Sequence, residues 1–289
     1  GYGGGGGGAG GEGGAENSMA DDLGRFQALA LNPGGLQPSP ESLVRVESFD
    51  LQQVIKTLGD ATASGEFVAE QLAVEDDTLV VGIPSYRTGL GAPRGVVRIL
   101  RRNQANPDLW QHFQTIPIPH NNTTNFGLAL ALQGNTLVVA SDRASFGGDK
   151  FGRIFIYGRS SSLGRWTMRQ EIPSPVRVDN DHFGWGLDLD GDTLVVGALG
   201  AIKTFVFRRN GATWTLQKTL EPPRPEQRNA TYGNFVAIQG DTIVIGEYNS
   251  SAPDEDEGVV HIHRRNEGGA NQWGLVQRIF SPNFAPSEL

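Results

Sequence analysis

Apolar residues in this chain gather into short unbroken runs, and the runs recur. Leu79-Val80-Val81, Leu137-Val138-Val139, Leu194-Val195-Val196 and Ile243-Val244-Ile245 each follow a threonine. That threonine follows a two-residue polar turn: Asp76-Asp77, Gly134-Asn135, Gly191-Asp192 or Gly240-Asp241. Such a turn between apolar segments predicts a tight β-hairpin. A run that does not alternate predicts a strand covered on both faces. The segment before each turn is the first strand, residues 126–132 in the second copy and 183–189 in the third. Residues 95–100, 152–157, 202–207 and 258–263 read as third strands. A polar hairpin follows, spelled Arg-Arg-Asn from Arg101, Arg208 and Arg264, and a fourth strand opens on Trp110, Trp166, Trp214 or Trp273. Pro117, Pro173, Pro222 and Pro282 end the units, as a residue that cannot donate to a ladder should.

The threonines Thr78, Thr136, Thr193 and Thr242 are 58, 57 and 49 residues apart. Four-stranded units at that period predict an all-β fold, a β-propeller whose blades bury one another's faces. A degenerate N-terminal repeat precedes the four clear ones, with strands expected at residues 28–31, 43–46 and 53–58. The expected organisation is a glycine-rich tail or linker over residues 1–19 and a propeller over 20–289. Its blades fall at 20–62 (degenerate), 63–120, 121–176, 177–226 and 227–282.

The phrase aromatic-Gly, hairpin, apolar run, Gly, loop, Gly-Val, Trp resembles the FG-GAP repeat, the unit of integrin α-subunit propellers. Phe126-Gly127, Phe183-Gly184 and Tyr232-Gly233 carry the aromatic-Gly pair, while the first copy lacks the glycine after Phe67. The resemblance covers roughly residues 42 to 280. It implies an extracellular or cell-surface setting and a non-catalytic interaction module. It also implies calcium loops between strands one and two, and there this chain departs. Calcium needs six to eight oxygens from a loop that wraps it. Here each loop is a two-residue turn, so Asp188-Leu189-Asp190-Gly191-Asp192 reads as strand and turn, and no metal or cofactor is expected.

Composition narrows the partners. The formal charge of −8 argues against nucleic acid, which needs basic patches. No apolar run reaches the ~18 residues of a spanning helix, so no direct membrane insertion is expected. The chain has no cysteine, which removes disulfides, thiolate metal sites and a cysteine nucleophile.

Antiparallel blades place the two-to-three and four-to-one connections on one rim, here called upper. The two-to-three loops are long at residues 85–94, 141–151 and 247–257, and nearly vanish at 199–201. Loops on a rigid scaffold are where binding residues concentrate. The candidate interaction residues are Tyr86, Arg87, Arg143, Phe146, Tyr248, Asp254 and Asp256. Sequons for glycosylation stand at Asn121, Asn122, Asn229 and Asn249. His261 and His263 share a strand face, as a metal pair does, but replace Phe205 and Phe207 of the preceding copy and read as structural. His112, His120 and His182 have no acidic or serine partner at a recognisable spacing, and no catalytic motif is present, so no enzyme is expected. The expected partner is a protein or glycan ligand. The alternative is a structural subunit of an extracellular assembly, with the glycine tail docked on a neighbouring subunit. An accessory domain of a carbohydrate-active enzyme comes third.

Overall fold

A computed structural model describes residues 71–87, 94–121, 123–143, 145–146, 149–160, 164–223, 231–252 and 255–280. All fall in the second of the two units into which the chain divides, Gln53–Leu289. The expected tail, residues 1–19, and the degenerate repeat, residues 20–62, lie outside the described residues.

The described residues form four four-stranded antiparallel sheets, their strands in chain order except that a two-stranded hairpin intervenes in the second. Blade 1 comprises β1 (Gln71–Glu75), β2 (Thr78–Ile83), β3 (Val96–Arg102) and β4 (Trp110–Ile116). Blade 2 comprises β5 (Leu130–Gln133), β6 (Thr136–Ser141), β9 (Arg153–Arg159) and β10 (Trp166–Pro173), with the two-stranded β7 (Ser145–Phe146) and β8 (Asp149–Lys150) in its upper loop. Blade 3 comprises β11 (Phe183–Asp190), β12 (Thr193–Ala198), β13 (Lys203–Asn210) and β14 (Thr213–Leu220). Blade 4 comprises β15 (Phe235–Gln239), β16 (Thr242–Ala252), β17 (Glu255–Arg264) and β18 (Gly274–Phe280). The upper connection of blade 3 is a 3₁₀ turn, Leu199–Ala201. The segment expected as a loop over 247–257 instead continues β16 and β17 as a hairpin, pairing Ser250 with Glu257 and Ala252 with Glu255.

The unbroken apolar runs of blades 2 and 3 are buried on both faces because each of these blades is packed between two others. Val80, Val97 and Ile99 of blade 1 meet Leu137, Val139 and Phe155 of blade 2. Val138, Ile154 and Ile156 of blade 2 meet Val196, Phe205 and Phe207 of blade 3. Val195 and Val206 of blade 3 meet Ile243, Ile245 and Trp273 of blade 4.

The repeated signature residues are the contacts between blades. Gly95 pairs with Phe126 and Gly152 with Phe183 in isolated parallel bridges, tying the third strand of one blade to the aromatic of the next. A methyl added at Gly95 or Gly152 would fall 2.2 Å from that aromatic's carbonyl oxygen. In the turns, the N–H of Gly134, Gly191 and Gly240 donates to Glu75, Gln133 and Asp190 of the preceding blade, each at 2.6 Å.

The arginines of the hairpins between third and fourth strands belong to the same system. Arg159, Arg209 and Arg265 stack over Trp166, Trp214 and Trp273 at 5.7, 5.4 and 4.4 Å. The same guanidinium groups bond the turn residues Asn135, Asp192 and Asp241 of their own blade at 2.9, 2.7 and 2.5 Å. They also reach Thr78, Thr136 and Thr193 of the preceding blade at 3.4, 3.3 and 3.3 Å. The cation–π stack and the turn bond fix each arginine within its own blade, and its bond to the threonine ties it to the blade before. A fourth tie uses glutamines. The Gln114 and Gln170 amides each bracket the backbone N–H and carbonyl of Trp166 and Trp214, at 2.7 to 2.9 Å. In blade 3 Gln217 accepts from the Trp273 indole instead, at 2.9 Å.

Candidate functional site

The upper rim between blades 2 and 3 holds a polar cluster at the end of β6 and the start of β11. Asp142 is fully buried. Its Oδ2 lies 2.7 Å from His182 Nδ1, and its Oδ1 accepts from the Asn125 amide at 3.0 Å. Asn125 and His182 precede the aromatic-Gly pairs and both have positive φ, 59° and 53°. That backbone turns their side chains back onto the rim. The neighbouring Asp181 is fully buried and accepts from the Phe183 N–H at 3.0 Å. Burial pushes its carboxyl up to about 6. The Ser174 hydroxyl, the Phe183 and Val178 N–H groups and His182 act in the opposite sense.

This shift has a sign for stability. Between about pH 4 and 6 folded Asp181 keeps a proton that the unfolded chain has lost. Stability therefore falls as pH rises through that window and stays lowered above it. Asp181→Asn is expected to raise the melting temperature at pH 7.5, by the equivalent of up to about 3 kcal/mol, and to change little near pH 4. Thermal unfolding at the two pH values checks this, and an Asn variant less stable at pH 7.5 would refute the assignment.

The His182 ring stands edge-on to Trp185, with centroids 5.6 Å apart. Trp185 lines a cleft of about 270 Å³ among the innermost strands, with Leu128, Ala129, Asn234, Phe235 and Gln71. Phe235 is 69% exposed, on β15, the first strand of blade 4. The chain has five tryptophans. Trp110, Trp166, Trp214 and Trp273 stack under arginines of the hairpins. Trp185 holds no such place in the repeat.

The residues expected from sequence are not all brought together. Tyr86 is half-buried, packed against Val81, Ile83 and Leu100 of blade 1. Its carbonyl accepts from the N–H groups of Arg94 and Gly95 at 3.0 and 3.1 Å, so it anchors its loop. Arg87 is exposed. Arg143 is exposed beside the cluster, with Nε 3.7 Å from Asp142 Oδ2. The backbones of Phe146, Tyr248 and Asp256 run in β7, β16 and β17. Asp254 lies outside the described residues. Of the sequons, Asn121 is exposed and accepts from Arg94 at 3.3 Å, Asn249 is in β16, and Asn122 and Asn229 lie outside the described residues.

The histidines correct one expectation. Folding gives His182 the partner Asp142, and gives His120 the partner Glu171 at 2.8 Å. His261 and His263 are core residues. His261 Nε2 meets Glu247 at 2.7 Å, and His263 bonds the Tyr232 hydroxyl at 3.1 Å and the Trp273 carbonyl at 3.0 Å. Burial lowers the His263 pKa, the Trp273 carbonyl opposes this, and His261 adds to it, so the ring is held neutral. Among the described residues no group of three His, Asp or Glu side chains is placed to hold a metal ion. The three carboxylates that suggest a calcium loop are each engaged elsewhere. Asp188 accepts from the Ile238 N–H at 2.7 Å, Asp190 from the Gly240 N–H at 2.6 Å, and Asp192 from Arg209 at 2.7 Å.

Blade-like sheets packed in series define a β-propeller-like, all-β repeat protein. Residues 166–211 match the family described as the FG-GAP repeat, so the chain carries that repeat from β10 through β13. The match begins on the last strand of one blade and ends in the third strand of the next, spanning a blade junction. A comparison with curated protein sequences finds no match. Among solved structures, a Bacteroides uniformis protein assigned as a 6-phosphogluconolactonase is 8% identical, covering 72% of this chain and 55% of its own, with a TM-score of 0.51. A protein from Lactobacillus plantarum is 11% identical, covering 73% and 57%, with a TM-score of 0.47. Sqt1 of Saccharomyces cerevisiae is 11% identical, covering 73% and 49%, with a TM-score of 0.44. The chain thus spans about half the length of these structures, and the first of them shows likeness of fold alone.

Proposed function

We propose that this chain is a non-catalytic interaction module of a secreted or cell-surface protein, built as propeller blades and binding a protein or glycan on its upper rim. The observation that carries this reading is Trp185 with Phe235 at the cleft. Large aromatics left in contact with solvent on a rigid scaffold are typical anchors of a binding surface. Every other tryptophan of the chain serves the repeat. Gln71 and Asn234 line the cleft beside the two aromatics, and the His182 ring backs Trp185, so polar groups capable of orienting a ligand stand next to apolar ones. Arg143 lies at the edge of the same rim. The FG-GAP match supports the adhesion-type setting, and a protein or glycan rather than a cofactor suits a shallow, open cleft.

The test uses an array of soluble oligosaccharides and a panel of purified extracellular-matrix proteins. Trp185→Ala and Phe235→Ala are expected each to weaken binding of the retained probe at least about tenfold, with the melting temperature held. Binding that survives both substitutions, or no binding to either probe, ends this reading.

A further inference from the structure

We infer that the outer face of blade 4 is a docking surface for one further blade of FG-GAP build, carried by sequence other than these residues. The face repeats the accepting half of the three junctions inside the structure. Ile279 stands in the register position of Ile116, Ile172 and Leu220. Those three are 3%, 8% and 4% exposed, whereas Ile279 is 47% exposed. Val244 and Ile262 are half-buried where Val195 and Val206 of blade 3 are fully buried.

The polar half-ties are present as well. Gln277 pairs opposite Ile262, as Gln114 does opposite Ile99 and Gln170 opposite Ile156. Gln114 and Gln170 bracket a tryptophan of the following blade, while Gln277 is exposed and meets no such backbone among the described residues. Gln239 ends β15 as Glu75 and Gln133 end β1 and β5, and those two accept a turn N–H of the following blade. Thr242 holds the place of Thr78, Thr136 and Thr193, each of which takes an arginine from the following blade. Gly246 holds the place of Gly82 and Gly197, against which Gly127 and Gly233 of the following blades pack.

These half-ties specify the occupant. It presents a turn N–H, an arginine stacked on a tryptophan, and an aromatic-Gly pair. Residues 20–62 contain no tryptophan, no Arg-Arg pair and no aromatic-Gly pair. Blade 1 of a second copy is disfavoured because its own leading face is covered, with Val81 1%, Val96 5% and Leu100 2% exposed.

The chain has no cysteine, so Ile279→Cys introduces a single reporter thiol. The probe is the full chain extended after Leu289 by a second copy of its own residues 227–282. Maleimide labelling of the reporter is expected to slow at least about tenfold in the extended chain. Adding Gln277→Ala and Thr242→Ala should restore most of the rate. Equal labelling with and without the extension overturns the inference. So does labelling of the unextended chain that slows with protein concentration, because a second copy then fills the face.

Discussion

Gly197→Ala is expected to separate blades 3 and 4 and to cost at least about 3 kcal/mol, the range reserved for named core faults. Gly197 lies in β12, paired with Thr204. A methyl there would fall 1.8 Å from the Gly233 carbonyl oxygen and 2.8 Å from its carbonyl carbon. Both are backbone atoms, so relief requires the aromatic-Gly segment of blade 4 to move. Moving it draws Tyr232 out of the layer in which it meets His263. Blade 2 shows how narrow the tolerance is. Ala140 occupies the equivalent place, and a methyl on the facing Gly184 would then meet the Ala140 methyl at 2.9 Å. One methyl fits at that junction and a second does not. The comparison variant is Gly191→Ala, where nothing lies within 4 Å but φ is +57°. It costs about 1 kcal/mol from backbone preference alone. Thermal unfolding of the two variants separates contact from conformation, and Gly197→Ala matching Gly191→Ala would show that the blades are not packed this closely.

The period of the apolar runs was enough to place four sheets, because strand length and hairpin turns are local properties. Asp76-Asp77, Gly134-Asn135, Gly191-Asp192 and Gly240-Asp241 all form the turns their chemistry demands. What the pattern hid is that the recurring residues touch one another across blades. Arg209 and Thr136 are 73 positions apart, so each reads alone as a polar residue near a turn. The Arg-Arg-Asn hairpins therefore read only as polar hairpins, although their arginines carry the stack on tryptophan. The Asp142–His182 pair spans 40 positions and repeats in no other copy, so periodicity gave no hint of it. Trp185 did leave a signal. It is the one tryptophan out of register with the fourth strands, and a residue that breaks a repeat without serving it is where function is to be sought. Loop length did not reveal that residues 247–257 extend β16 and β17 as a hairpin, nor that Tyr86 is spent on anchoring its own segment.

Phe183→Ala should have the second largest effect, and it tests whether the aromatic-Gly pair is a packing device. The ring is fully buried between blades 2 and 3, edge-on to Phe205 at 5.6 Å and Phe207 at 6.1 Å. Phe126 does the same with Phe155 at 5.6 Å. In blade 4 the set changes to Tyr232, His261 and His263, with the hydroxyl bonded to His263. The geometry is thus kept while apolar contact is exchanged for a hydrogen bond. Truncating Phe183 removes the transfer energy of a ring and leaves a cavity held open by two stiff sheets, about 3–5 kcal/mol together. That is a large share of the ~5–15 kcal/mol that holds a typical domain folded. Urea unfolding should show the midpoint falling with little change in slope, and hydrogen exchange should show β11 and β9 losing protection first. Tyr232→Phe keeps the ring and deletes the hydroxyl, leaving buried His263 short of a partner at about 1–3 kcal/mol. If Tyr232→Phe proved costlier than Phe183→Ala, the blade junctions would be held by polar pairing and not by interleaved aromatic rings.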